Sequence, residues 1–252
     1  FKKRGLLAAL FDDALADTKP MSALLDHYVN DALLADIAAE YAKGRLLMVG
    51  TTNLDAREPV YWDMGAIATH GGPEAIRLFK QITMASAAIP GAFPPVMIDV
   101  TAGGARHQEM HVDGGATAQA FMYPPTLHVA ALLQQQGQQR RRSLYLLRNA
   151  RLDPEWSSVD RRTLSIVGRA LTSLIQTQGV GDLFRIYLTA QRDGVDYNLA
   201  YIPATFTVQR RSEFDPDYMR PLFDLGRKMA RDGYPWAKYP PGYGPAGPSP
   251  AS

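Results

Sequence analysis

A chain of 252 residues, 46% hydrophobic and 21% charged, is long enough to bury a full core and reads as one globular domain with an extension. Its 27 Lys and Arg against 25 Asp and Glu leave a net charge of +2, which provides no electrostatic footprint for nucleic acid. No run approaches the ~20 apolar residues of a membrane span, and the lack of cysteine removes thiol nucleophiles, disulfides and Cys-ligated zinc. The chain opens on Phe1 rather than methionine, and Phe1-Lys2-Lys3-Arg4 leads into no signal core, so a soluble chain with a further segment upstream is expected.

Residues 6–18 are rich in Leu, Ala and Asp and suit a short helix. After Pro20, Leu24, Leu25 and Tyr28 mark a helical face. Asn30 is placed to cap a second helix in which Leu33, Leu34, Ile37 and Tyr41 recur until Gly44 stops it. Leu46-Leu47-Met48-Val49 is continuously apolar, as in a strand covered on both faces, and Asp55–Pro59 turns the chain into Val60-Tyr61-Trp62 as a hairpin partner. Gly71-Gly72-Pro73 opens a helix striped by Leu78, Ile82, Ala85 and Ile89, which Pro90-Gly91 ends. Two short apolar strands follow and close on Asp113-Gly114-Gly115, where an aspartate at a strand end precedes two residues without side chains.

Further on, the polar run Gln134–Arg142 precedes a buried strand at Leu144–Leu147. Its Arg140-Arg141-Arg142 triplet reads as a solvated loop edge, with phospholipid-headgroup contact as the alternative. Ser165–Gln176 and Asp182–Ala190 suggest two helices separated by Gly179 and Gly181, followed by a Tyr197–Ile202 strand. Asp215-Pro216 starts a last helix with Met219, Leu222, Phe223, Met229 and Ala230 on one face, Pro221 as a potential kink and Gly233 beyond its end. These elements predict an α/β layered domain over residues 1–233, with a mixed central sheet between helices, and an extended Pro/Gly-rich tail over 234–252.

Three blocks carry a family resemblance: Ala85-Ser86-Ala87-Ala88-Ile89-Pro90-Gly91, Phe93-Pro94-Pro95-Val96, and His111-Val112-Asp113-Gly114-Gly115. Together with Val49–Asp55 and Pro59–Trp62 upstream, they resemble the patatin-like phospholipase family over residues 20–128, and more loosely over Phe214–Pro241. The resemblance implies a mixed sheet between helices and a lipid acyl hydrolase of phospholipase A or esterase type. It implies a Ser-Asp dyad with Asp113 of the Asp-Gly-Gly motif as general base, a lipid or acyl-ester substrate, possible peripheral membrane contact and no cofactor. Ser86, Pro90, Phe93 and Pro94 would then belong to the wall of the substrate site.

No GxSxG elbow and no glycine-rich oxyanion loop occurs in these residues, so the nucleophile is expected in the upstream segment. Ser86, flanked by alanines at a helix end, lacks the strained turn that exposes a nucleophile, and Ser143 and Ser165 have no partner at an interpretable spacing. A catalytically silent lipid-binding or scaffolding protein is the alternative function. A third reading follows from alternation: His107, Glu109, His111 and Asp113 would share one strand face, a donor set for Zn or Fe(II). His27, His70 and His128 stand alone and read as structural or solvated.

Overall fold

A computed structural model of the chain describes residues 18–123, 129–131, 141–153, 156, 158–211 and 215–244. The chain forms two compact units, Phe1–Ala120 and Phe121–Ser252, a division inside the stretch that the sequence reading treats as one domain. Most of the helix anticipated over 6–18, most of the polar run before Leu144, His128 and Phe214 lie outside the described residues.

In the first unit, α1 (Lys19–Tyr28) and α2 (Asp31–Ala42) are joined through Asn30. Asn30 is extended, and its Oδ1 accepts from the Leu33 amide at 3.1 Å, the N-cap the sequence predicts. Gly44 then takes a φ of +87°, the left-handed conformation that ends a helix without a Cβ penalty. The strand β1 (Met48–Asn53) pairs antiparallel with β2 (Glu58–Asp63), as the hairpin expectation requires. Asp63 is the last residue of β2 and also caps α3 (Met64–His70), its Oδ1 accepting from Ala66 N at 2.9 Å. After α4 (Gly72–Ala85), β3 (Val96–Ala102) and β4 (Ala105–Asp113) form a hairpin across Gly103-Gly104. Both glycines have positive φ, +58° and +80°, the pair of left-handed residues that a tight hairpin turn demands.

The sheet order is β2-β1-β4-β3, and every neighbouring pair is antiparallel. The helices supply Leu34, Met64, Phe79, Ile82 and Ala85 to a core that Ile98 completes from the sheet, with Val49, Trp62, Val96 and Val100 packed around it. Two expectations shift here. Leu25, not Leu24 or Tyr28, is the α1 side chain packed on the core, because it shares a face with buried Val29 four residues on. The doubly covered strand at Leu46–Val49 is also displaced: Leu46 and Leu47 precede β1 and are exposed, while Thr51, Thr52 and Asn53 are its buried part.

In the second unit, β5 (Arg142–Arg151) and β6 (Val195–Ile202) make a two-stranded parallel sheet, beside α5 (Thr163–Arg192) and α6 (Pro216–Arg231). The described residues are therefore α/β, but their strands fall into an antiparallel and a parallel sheet rather than one mixed sheet. Leu144–Leu147 does not read as buried on both faces, since Tyr145 and Leu147 are exposed while Leu144 and Leu146 are half-buried. Arg142 is likewise no loop edge: it opens β5, half-buried, and its Nη2 donates to the Asp193 carbonyl.

The two helices expected around Gly179 and Gly181 are one 30-residue helix. An interior glycine costs only about 1 kcal/mol against alanine, less than the burial gained by Leu183, Ile186, Tyr187 and Ala190 further along. In α6, Asp215 accepts from Asp217 N at 3.0 Å and Pro221 sits inside the helix without ending it. The start of the supposed tail is packed. Tyr234 Oη accepts from the Tyr201 amide at 3.0 Å and donates to the Tyr201 carbonyl at 3.2 Å, and Ala237 exchanges backbone bonds of 2.9 and 3.0 Å with Leu199. Residues 245–252 lie outside the described residues.

A continuous α5 yields a prediction. Gly181 is exposed, has no positive φ, and nothing lies within 4 Å of a Cβ added there. Gly181→Ala should raise stability by about 0.5–1 kcal/mol, read as a higher denaturation midpoint at unchanged m-value. A loss of stability would restore the broken-helix reading.

Candidate functional site

The strand register fixes the surroundings of the Asp-Gly-Gly motif. Thr51 faces Asp113, Thr52 faces Val112 and Asn53 faces His111 across the β1/β4 pair. On the other edge Val96, Ile98 and Val100 face His111, Glu109 and His107. Directly opposed residues share a sheet face, so the alternating set His107, Glu109, His111 lies on the face that carries Ile98 into the core.

His111 is fully buried there, with both ring nitrogens engaged. Trp62 Nε1 donates to Thr51 Oγ1 at 2.8 Å, Thr51 Oγ1 lies 3.0 Å from His111 Nδ1, and His111 Nε2 lies 3.2 Å from Glu109 Oε2. The indole can only donate and the carboxylate can only accept. Nε2 therefore donates to Glu109, and Thr51 Oγ1, which accepts from the indole, bridges Trp62 to Nδ1. The Trp62 ring adds a tilted contact at 5.5 Å between centroids. His107 lies exposed near the hairpin turn. Among the described residues no group of three or more His, Cys, Asp or Glu is placed to hold a metal, and both His111 nitrogens lie within hydrogen-bonding distance of protein oxygens.

Asp113 is held by its backbone at both its amide and its carbonyl. Its amide donates to the Ala88 carbonyl at 2.9 Å, which ties the end of β4 to the Ala85–Gly91 block. Its carbonyl accepts from Thr52 Oγ1 at 3.0 Å, and since that uses the one Thr52 hydroxyl proton, Thr117 Oγ1 at 2.8 Å donates to Thr52. Gly114 then passes against β1 so closely that a Cβ there would lie 2.6 Å from the Gly50 carbonyl oxygen. The first glycine of the motif thus serves a backbone-to-backbone approach inside the sheet. This differs from the ligand approach suggested by sequence.

The carboxylate itself is half-buried at the start of a single 3-10 turn, Gly114–Ala116. Oδ1 accepts from the Gly115 amide at 2.7 Å, whereas Oδ2 accepts no hydrogen bond among the described residues. Burial pushes the Asp113 carboxyl above the usual carboxylate range, and the Gly115 amide pulls part of the way back. A group in this state can take a proton from a hydroxyl brought to Oδ2.

The other expected site residues are placed less decisively. Ser86 follows α4 with helical backbone (φ −63°, ψ −15°), its amide donating to the Ile82 carbonyl, and among the described residues no hydrogen bond joins it to Asp113. It is not on a strained elbow. Pro90 is exposed, and Phe93 and Pro94 are half-buried just past the Ala88 anchor. His70 bonds back to the Ala66 carbonyl and His27 packs edge-on against Tyr28, as structural histidines do. Thr51, Thr52, Trp62 and Thr117 were missed by the sequence reading as supports of the motif. The available signal was a polar Thr51-Thr52-Asn53 run inside a strand, since buried hydroxyls need partners.

Three predictions follow from this geometry. Thr51→Val keeps the shape but leaves Trp62 Nε1 and His111 Nδ1 without partners, and should cost on the order of 2–4 kcal/mol in denaturant unfolding. Glu109→Gln, which retains an acceptor, should cost less than about 1 kcal/mol. The raised Asp113 group contributes stability that is fully present below the ordinary aspartate value of about 3.9 and is lost as pH rises through its folded value. The stability difference between the parent and Asp113→Asn should therefore move in favour of the Asn variant as pH rises through that window, in paired denaturation curves.

Comparison of the chain with protein-family models, with curated proteins and with solved structures gave no match, so its likeness to patatin-like phospholipases rests on the sequence blocks alone.

Proposed function

We propose that this chain is the aspartate-bearing part of a lipid acyl hydrolase of patatin-like type, in which Asp113 is the general base of a Ser-Asp dyad. The observation that carries the reading is the state of the Asp113 carboxylate. One oxygen is fixed by the Gly115 amide, the other accepts no bond among the described residues, and the strand end beneath is clamped by Ala88 and Thr52. A general base needs a position set by packing and a pKa closer to the working pH than that of a free aspartate, and partial burial supplies the second.

In this reading a serine from outside these residues donates its proton to Asp113 Oδ2 as its oxygen attacks the acyl carbonyl. The tetrahedral intermediate collapses to an acyl-enzyme, the protonated aspartate returning the proton to the leaving alcohol. Water, deprotonated by the same carboxylate, then attacks the acyl-enzyme, and the fatty acid leaves as the protonated aspartate returns the proton to the serine oxygen. Asp113 acts on each proton in turn, so a histidine is not required. The neighbouring Ala85–Gly91 block, with Ser86 and Pro90, and then Phe93 and Pro94, would form the wall against which the acyl group lies.

In a form of the protein that also carries a GxSxG segment, Asp113→Asn should cut hydrolysis of a short-chain ester by roughly 10²- to 10⁴-fold with little loss of fold. Retention of activity within about tenfold of the parent would sink the dyad assignment. The lack of a GxSxG elbow in these residues favours a second reading, a catalytically silent lipid-binding protein. Covalent labelling of that longer form by an organophosphonate separates the two, since a silent protein has no activated serine to label.

A further inference from the structure

The first half of α5 is an apolar surface that nothing among the described residues covers. Ile166, Val167, Leu171 and Leu174 are all at least half exposed, at 53%, 50%, 52% and 66%, and Trp156 ahead of the helix is 90% exposed. A helix advances about 100° per residue, which gathers Ile166, Ala170, Leu174, Val167 and Leu171 into one arc of about 140°. On the same projection Arg162 and Arg169 fall just outside the Ile166 edge of that arc. From Trp156 to Leu174 the chain carries three arginines, Arg161, Arg162 and Arg169, against Asp160, with Glu155 directly ahead of the segment. Among the described residues no helix is long and apolar enough to cross a membrane.

We propose that the Trp156–Leu174 segment is a docking surface for an anionic phospholipid bilayer. The helix lies in the plane of the interface, with its apolar arc and the Trp156 indole at the boundary between headgroups and acyl chains. The arginines, at the edge of the arc and at the helix start, meet lipid phosphates. The charge selects this occupant. An apolar arc alone suits any greasy partner, whereas an arc edged by Arg162 and Arg169, on a stretch from Thr163 to Leu174 without a carboxylate, matches a surface that is both apolar and negative. The proposal does not depend on the hydrolase reading, since binding to a vesicle needs no catalysis.

The test is flotation of the 252-residue chain with vesicles of phosphatidylcholine alone and of phosphatidylcholine mixed with phosphatidylglycerol. Strong partitioning to the mixed vesicles, weakened by salt, is expected, with a blue shift of tryptophan emission that disappears in Trp156→Phe. Replacing Arg161, Arg162 and Arg169 together by Gln should lower partitioning roughly 10²-fold, from about tenfold or less for each cation. Leu171→Gln with Leu174→Gln should lower it at least about tenfold while leaving the far-ultraviolet spectrum unchanged, because both side chains are exposed. The proposal is overturned by equal partitioning to the two vesicle types or by no partitioning of the parent chain. A concentration-dependent dimer that Leu171→Gln dissolves, without vesicle binding, would overturn it too and assign the face to a protein contact.

Discussion

The end of β4 in the first unit depends on the approach of Gly114 to the backbone of Gly50, where no side-chain carbon fits. This contact lets the chain leave β4 directly against β1 and start its 3-10 turn without a gap. Asp113 sits one residue before it and inherits the position: with its amide on Ala88 and its carbonyl on Thr52, the residue has little freedom except in its side chain. The Asp-Gly-Gly triplet is thus a packing solution first. Its carboxylate is precise in place because the backbone below has no room to move.

The buried face of the same sheet is not uniformly apolar. Trp62, Thr51, His111 and Glu109 form a hydrogen-bonded line that runs across three strands, from β2 through β1 to β4. Such a line stabilises little in net terms when intact but is costly to interrupt, since each buried donor or acceptor left alone loses its solvation without return. Its effect is on register. A one-residue slip of β4 against β1 would send His111 to the opposite face and take from Thr51 its contact with Nδ1. The histidine that looks like a metal ligand in sequence is, in its surroundings, a fastener between strands.

The second unit divides its longest element between two environments. The C-terminal half of α5 buries Leu183, Ile186, Tyr187 and Ala190, with Tyr187 edge-on against Tyr197 of β6 at 5.2 Å. The N-terminal half presents apolar side chains outward. The buried and exposed apolar residues of α5 follow separate stripes, which is why the helix shows no single amphipathic face over its full length. A packed anchor and an uncovered apolar extension on one rigid rod suit a segment that holds its surface ready for contact.

Local chemistry made much of this legible in the sequence: the Asn30 cap, the stop at Gly44, the β1/β2 hairpin, the Asp215-Pro216 helix start and the Asp113-Gly114-Gly115 strand end each depend on residues within a few positions. What depended on distant partners was not legible. The buried part of β1 moved from Leu46–Val49 to Thr51–Asn53, because hydroxyls and an amide can be buried once β2, β4 and the following loop supply their bonds. Glycines at 179 and 181 look like a break locally, yet the burial further along α5 carries the helix through them. The Pro/Gly composition after Tyr234 hid a segment that β6 holds by backbone bonds at Ala237. The sequence by itself determined where chain segments start and stop and which aspartate stands at a strand end. Only the tertiary structure decided which polar groups are satisfied, that Gly114 is demanded by Gly50, and that His111 is committed to Thr51 and Glu109, because hydrogen bonding and close approach are settled between residues far apart in the chain.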